Sequence, residues 1–278
     1  MEKHLMVGVC ADGASSYAVR FIKDFFHSPC DIRITLFHVA PPKGSWCSGN
    51  PRAKGEKLLE DARKWFIDHS FCSKNKIEIK SIHSRGNTAR EIVQEGHKGM
   101  YDAVVLGRQT PSMLEEFFDY RVGSKVIWED INFPLWFCKC PHDIPKKNVL
   151  LCVDEDPPSQ RIADHVGFML NDNPNHDITM LHVRNSKEMG AVTSEDVFAL
   201  CREHLTGNGV DESRLSEVVI ESDNVAKAIL QHAAKRHYAA VAVGRGIHDQ
   251  TAVEKLFPRS VCVKLLQGLE GTSLWISR

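Results

Sequence analysis

Two aspartates and two glycine turns stand where apolar runs of this 278-residue chain end, which is where such side chains can meet a ligand. Asp12-Gly13 follows LMVGVCA at Leu5–Ala11, and Val153-Asp154 closes VLLCVD at 149–154. Gly107-Arg108 ends DAVVLGR, and Gly244-Arg245-Gly246 follows AAVAV. A carboxylate so placed can accept from ribose hydroxyls or hold a cation. A glycine lets the backbone approach a phosphate, and an arginine can pair with phosphate through two donors. Asp12, Gly13, Gly107 and Arg108 are therefore candidate binding residues in the first half, with Val153, Asp154, Gly244, Arg245 and Gly246 in the second. The second set is the better candidate, because Gly-Arg-Gly keeps more backbone freedom than Gly107-Arg108-Gln109.

Other chemistry is thinner. Cys138, Cys140 and His142 alternate along CKCPH and would project to one side of an extended chain, yet four ligands make a structural zinc site and no second cysteine pair lies nearby. His38 and His182 end ITLFHV and ITMLHV, where packed histidines with backbone partners are expected. Asp154-Glu155-Asp156 could take Mg²⁺ or repel phosphate, and with Pro157 it also reads as ordinary turn chemistry. No nucleophile elbow, complete P-loop or paired cysteine and histidine motif is present, so no catalytic residue is assigned.

These residues are positioned by a repeat. The histidines give an offset of 182 − 38 = 144, and NTAREIV at 87–93 returns as NVAKAIL at 224–230. PLWF at 134–137 returns as SLWI at 273–276. A unit of about 140 residues is a whole domain rather than a solenoid repeat. Apolar runs alternate with helical spacing throughout, which predicts an α/β protein: two tandem Rossmann-like domains of flavodoxin-type order, each a five-stranded parallel sheet with helices on both faces. The boundary is placed in PHDIPKK, giving residues 1–143 and 144–278. Ile77–Ile82 alternates apolar and polar residues and is expected near a sheet edge. Asn87 and Thr88 are expected to cap a helix, and Cys10 and Cys152 to fill equivalent core positions. Leu135-Trp136-Phe137 and Leu274-Trp275-Ile276 suit either a domain interface or ordinary core.

Composition narrows the function. Hydrophobic residues make up 42% and charged ones 26%, a globular balance. The first 143 residues carry 20 Lys and Arg against 18 Asp and Glu, the remainder 15 against 18, so neither half has the basic excess of a nucleic-acid binder. No apolar run reaches the roughly 18 residues of a membrane span, and the N-terminus enters a strand pattern without a leader. Nine scattered cysteines fit buried thiols in a reducing compartment, so a cytoplasmic protein is expected.

At the strand ends the chain resembles the universal stress protein family, specifically its tandem members, over both halves. The resemblance rests on the first strand ending in Asp followed by Gly13, or in the second copy by Ser159 five positions on; on the strand ends at His38 and His182; and on the fourth strand ending in Gly. It implies a regulatory or stress-response protein that acts through an unidentified protein partner or self-association, with ATP or AMP and Mg²⁺ as its possible ligands. ATP-binding members carry G-x2-G-x9-G-(S/T). Here those places hold Gly107, Thr110, Tyr120 and Arg121, then Gly244, Ile247, Phe257 and Pro258. Pro258 has no N–H to offer a phosphate, and each lost charge-assisted bond costs about 1.5–3 kcal/mol. The sequence therefore reads as a non-enzymatic regulator with degenerate nucleotide sites; the alternative is an ATP or AMP sensor using the second crevice, with weak hydrolysis.

Overall fold

The computed structural model describes residues 1–11, 13, 15–26, 31–42, 50–69, 71, 73–107, 130–139, 146–184, 193–245 and 261–278. The chain divides into two compact units, Met1–Pro141 and His142–Arg278.

In the first unit β1 (Lys3–Gly8), β2 (Ile32–Ala40), β3 (Ile77–His83), β4 (Ala103–Gly107) and β5 (Leu135–Cys138) alternate with α1 (Ser15–Phe25), α2 (Pro51–Asp68) and α3 (Thr88–Gly99). The strands pair in parallel in the order β3-β2-β1-β4-β5. The second unit repeats this with β6 (Lys147–Val153), α4 (Pro157–Leu170), β7 (Ile178–Arg184), α5 (Ser194–Gly207), β8 (Leu215–Glu221), α6 (Val225–Arg236), β9 (Tyr238–Gly244), α7 (Val261–Gly268) and β10 (Ser273–Ser277). Its parallel order is β8-β7-β6-β9-β10.

Each unit thus contributes five parallel strands, but their order is 3-2-1-4-5, which corrects the flavodoxin-type order expected from the sequence. The physical reason lies in β3. Only Ile77 of its seven residues is buried, whereas β2 is buried at seven of nine positions. A strand that polar cannot sit in the middle of a parallel sheet, so it takes the edge and β2 moves inward.

Local signals explain the helices. Asn87 Oδ1 accepts from Arg90 N at 2.8 Å to start α3, and Asn224 Oδ1 accepts from Lys227 N at 3.1 Å to start α6, so the repeated asparagines are N-caps. Thr193 and Asp196 form a capping box at α5. Asn50 and Pro51 open α2. Most of the PHDIPKK linker lies outside the described residues.

Each unit has its own core. Ile22 and Phe25 of α1 are fully shielded over the sheet, each contributing about 1.5–3 kcal/mol. Trp136 of β5 meets Phe21 edge-on at 6.2 Å and stacks near Phe26 at 6.3 Å. Trp275 of β10 meets His165 of α4 at 6.0 Å. Both tryptophans are therefore core residues of their own unit. Among the described residues no helix is long and apolar enough to cross a membrane.

Candidate functional site

In a 3-2-1-4-5 sheet the strand order reverses between the first and fourth strands, and a crevice opens outside their carboxyl ends. In the second unit these are β6 and β9, which pair from Lys147↔Tyr238 to Cys152↔Val243. Val153 and Asp154 therefore stand beside Gly244 and Arg245 at one mouth. Gly246 lies outside the described residues.

The loop after β6 is held by its own hydrogen bonds. Ser159 Oγ accepts from Asp154 N at 2.9 Å and donates to Asp154 Oδ1 at 2.6 Å. Asp156 N also donates to Asp154 Oδ1, at 3.0 Å, and Ser159 N donates to Asp156 O at 2.9 Å. Asp154 is exposed and Ser159 is buried, so a shielded hydroxyl fixes a carboxylate at the rim. The Val153 carbonyl faces inward and accepts from His182 Nδ1 at 3.0 Å.

Across the seam, Gly244 is a glycine because of its own chain. A Cβ there would lie 2.4 Å from both the carbonyl carbon and oxygen of Pro158. The close approach foreseen for a ligand is thus made by the first turn of α4. Arg245 N is also engaged, donating to Ser277 O at 2.7 Å, and its residue is half-buried. Among the described residues of this mouth, the open side of Gly244 is thus covered and the Arg245 N–H is engaged.

The first unit's mouth differs at the carboxylate. Leu5 pairs with Ile34 and Ala103, and Val149 with Ile178 and Ala240. Counting on from Leu5 and Val149, Val9 matches Val153 and Cys10 matches Asp154. The histidines agree: His38 Nδ1 donates to Val9 O at 2.8 Å, as His182 does to Val153 O. Cys10, half-buried, occupies the place of Asp154, which corrects the pairing of Asp12 with Asp154 and of Cys10 with Cys152; Gly8 is the true match of Cys152. Asp12 and Arg108 lie outside the described residues. Gly13 has φ 77, is exposed, and its carbonyl accepts from Ser16 N and Oγ. Gly107 is buried and pairs with Cys138. His38 is structural: its ring fills the notch at Gly55, where a Cβ would lie 2.4 Å from Cδ2.

Thiols near the second mouth are not poised to react. Burial pushes Cys201 up to about 12 and Cys262 up to about 11, and raises Cys152 further. Cys201 Sγ donates to Ser159 O at 3.9 Å. Cys138 is buried in β5, while Cys140 and His142 lie outside the described residues. Among the described residues no group of three or more His, Cys, Asp or Glu is placed to hold a metal ion.

No family model and no curated protein matches the chain in sequence. Among solved structures, a universal stress protein from Archaeoglobus fulgidus DSM 4304 superposes on 99% of this chain and 96% of its own, with TM-score 0.70 at 16% identity. A Pseudomonas aeruginosa PAO1 protein described as functionally unknown covers 99% of this chain and 92% of its own, with TM-score 0.60 at 10% identity. A protein of the universal stress protein family from Arabidopsis thaliana with AMP bound matches 51% of this chain and 94% of its own, at 18% identity and TM-score 0.34. The fold is that of the universal stress proteins, present here as two tandem units.

Proposed function

We propose that this chain is a non-enzymatic regulatory protein of the universal stress type, acting in the cytoplasm, whose two nucleotide mouths are degenerate. The observation that carries this reading is the occupied seam of the second unit: Pro158 fills the open side of Gly244 and Ser159 engages Asp154. The first unit supports it, because the place of Asp154 is taken by Cys10. Its output is then contact with a protein partner or with a second copy, since the described residues of neither mouth offer groups for turnover.

A second reading is favoured by one feature. Asp154 is exposed on an ordered loop beside Arg245, so the second mouth keeps a fixed carboxylate that could accept from the ribose of ATP or AMP, with Mg²⁺. Isothermal titration of nucleotide-stripped protein with Mg²⁺-ATP and with AMP separates the two. The expected outcome is no saturable heat at millimolar ligand, with wild type and Asp154→Ala behaving alike. Saturable binding that Asp154→Ala abolishes would establish the sensor instead.

A further inference from the structure

The C-terminal end of α5 carries an Asn-Gly pair that is hydrogen-bonded at both positions. Gly209 has φ 93, a left-handed conformation natural to glycine, and its N–H donates to Thr206 O at 2.8 Å. Asn208 Nδ2 donates to His204 O at 2.9 Å and to Asp164 Oδ1 at 2.8 Å, tying the end of α5 to α4. The two helices meet there over Gly167, where a Cβ would lie 3.0 Å from Asn208 Cβ. Glycine is the residue that takes the turn at 209 without strain, and the amide at 208 supplies two donors that a carboxylate lacks.

We infer that Asn208-Gly209 is a deamidation site latched shut by the native hydrogen bonds, so that its conversion is a covalent record of opening at the end of α5. In the reaction the Gly209 backbone nitrogen attacks Asn208 Cγ and gives up its proton to solvent. The Cγ–Nδ2 bond breaks and ammonia leaves. Water then opens the cyclic imide at either carbonyl, yielding aspartate or isoaspartate with no redox change. A glycine nitrogen is the least obstructed attacker, because no side chain flanks it.

In the folded unit both reacting groups are engaged, the nitrogen with Thr206 O and the leaving amide with Asp164 and His204 O. Attack requires all three bonds to open, so the rate follows the population of the open end. Conversion also opposes reclosure. The new carboxylate would face the Asp164 carboxylate and a helix carbonyl, acceptor against acceptor, at the negative end of the α5 dipole.

The test uses the full chain aged in native buffer and in urea, with conversion at residue 208 read by peptide mass and isoaspartate labelling. Wild type should convert far more slowly folded than in urea. Asp164→Ala should raise the folded rate about three- to tenfold, the effect of one hydrogen bond on the opening equilibrium. Asp164→Asn, which keeps an acceptor, should stay near wild type, and all three should agree in urea. Asn208→Asp should lower the unfolding midpoint of the second unit. Equal folded and urea rates for wild type, a folded Asp164→Ala rate unchanged from wild type, or an Asn208→Asp protein that melts with wild type would each overturn the latch.

Discussion

The bare α-carbon of Gly244 lies against the backbone of Pro158, with the carbonyl carbon and oxygen each 2.4 Å from where a Cβ would sit. Backbone cannot swing aside as a side-chain tip can, so Gly244→Val must push the first turn of α4 off the end of β9. Overpacking of this kind costs about 1–3 kcal/mol. Chemical denaturation should show that loss in the second unit while the first unfolds as before. Unchanged stability would mean that the contact is not a constraint. For the same reason Asp154→Ala, and not a change at Gly244, is the clean probe of ligand binding.

Ser159→Ala removes the hydroxyl that both accepts from Asp154 N and donates to Asp154 Oδ1. Asp154 is exposed and its N–H can turn to water, so the loss is that of an ordinary hydrogen bond, about 0.5–1.5 kcal/mol. Amide hydrogen exchange should speed up at Asp154 and at Asp156, whose N–H shares the same carboxylate oxygen. Exchange unchanged at both would show that the loop is held by its backbone alone.

Much of this was legible in the residues, and the misses have physical causes. The continuous apolar runs of β4 and β9 and the capping asparagines at 87 and 224 marked central strands and helix starts without ambiguity. The polar alternation of β3 points to a sheet edge, which is incompatible with flavodoxin-type order; periodicity does not reveal the order itself because it fixes faces, not neighbours. The match of Asp12 to Asp154 failed because the first strand and its exit, LMVGVCA, are apolar beyond Gly8, so hydrophobicity does not show where pairing stops. The signal that finds the true match is the histidine offset of 144, which carries Asp154 back to Cys10. The contact of Pro158 on Gly244 was not legible at all, since it joins residues far apart in sequence through backbone packing.

Met100 and His237 occupy equivalent C-caps of α3 and α6 in left-handed conformations, with φ 46 and 54. Both are exposed, so no packing offsets the clash of a Cβ with the carbonyl in that region. Glycine removes the clash at the cost of a more flexible unfolded chain. Met100→Gly and His237→Gly should each raise stability by about 0.5–1 kcal/mol in urea titrations. Destabilisation by both would show that the side chains contribute contacts at these caps.

His165 and Phe21 play the same part in the two units: each packs edge-on against the tryptophan of the last strand, His165 on Trp275 and Phe21 on Trp136. Only the histidine titrates. Burial pushes its pKa down to about 3, against an ordinary value of 6.5. The unfolded chain therefore takes up a proton at this residue near pH 6.5 while the folded unit resists until about pH 3. Stability from the neutral ring is fully present above pH 6.5 and is lost as pH falls through that window, at about 1.4 kcal/mol per pH unit. Unfolding of the second unit should therefore become easier between pH 6.5 and 4, and His165→Phe, which copies the first unit, should flatten that slope by the same amount. If the variant and wild type lose stability in parallel across this range, the acid sensitivity of the second unit resides in other groups.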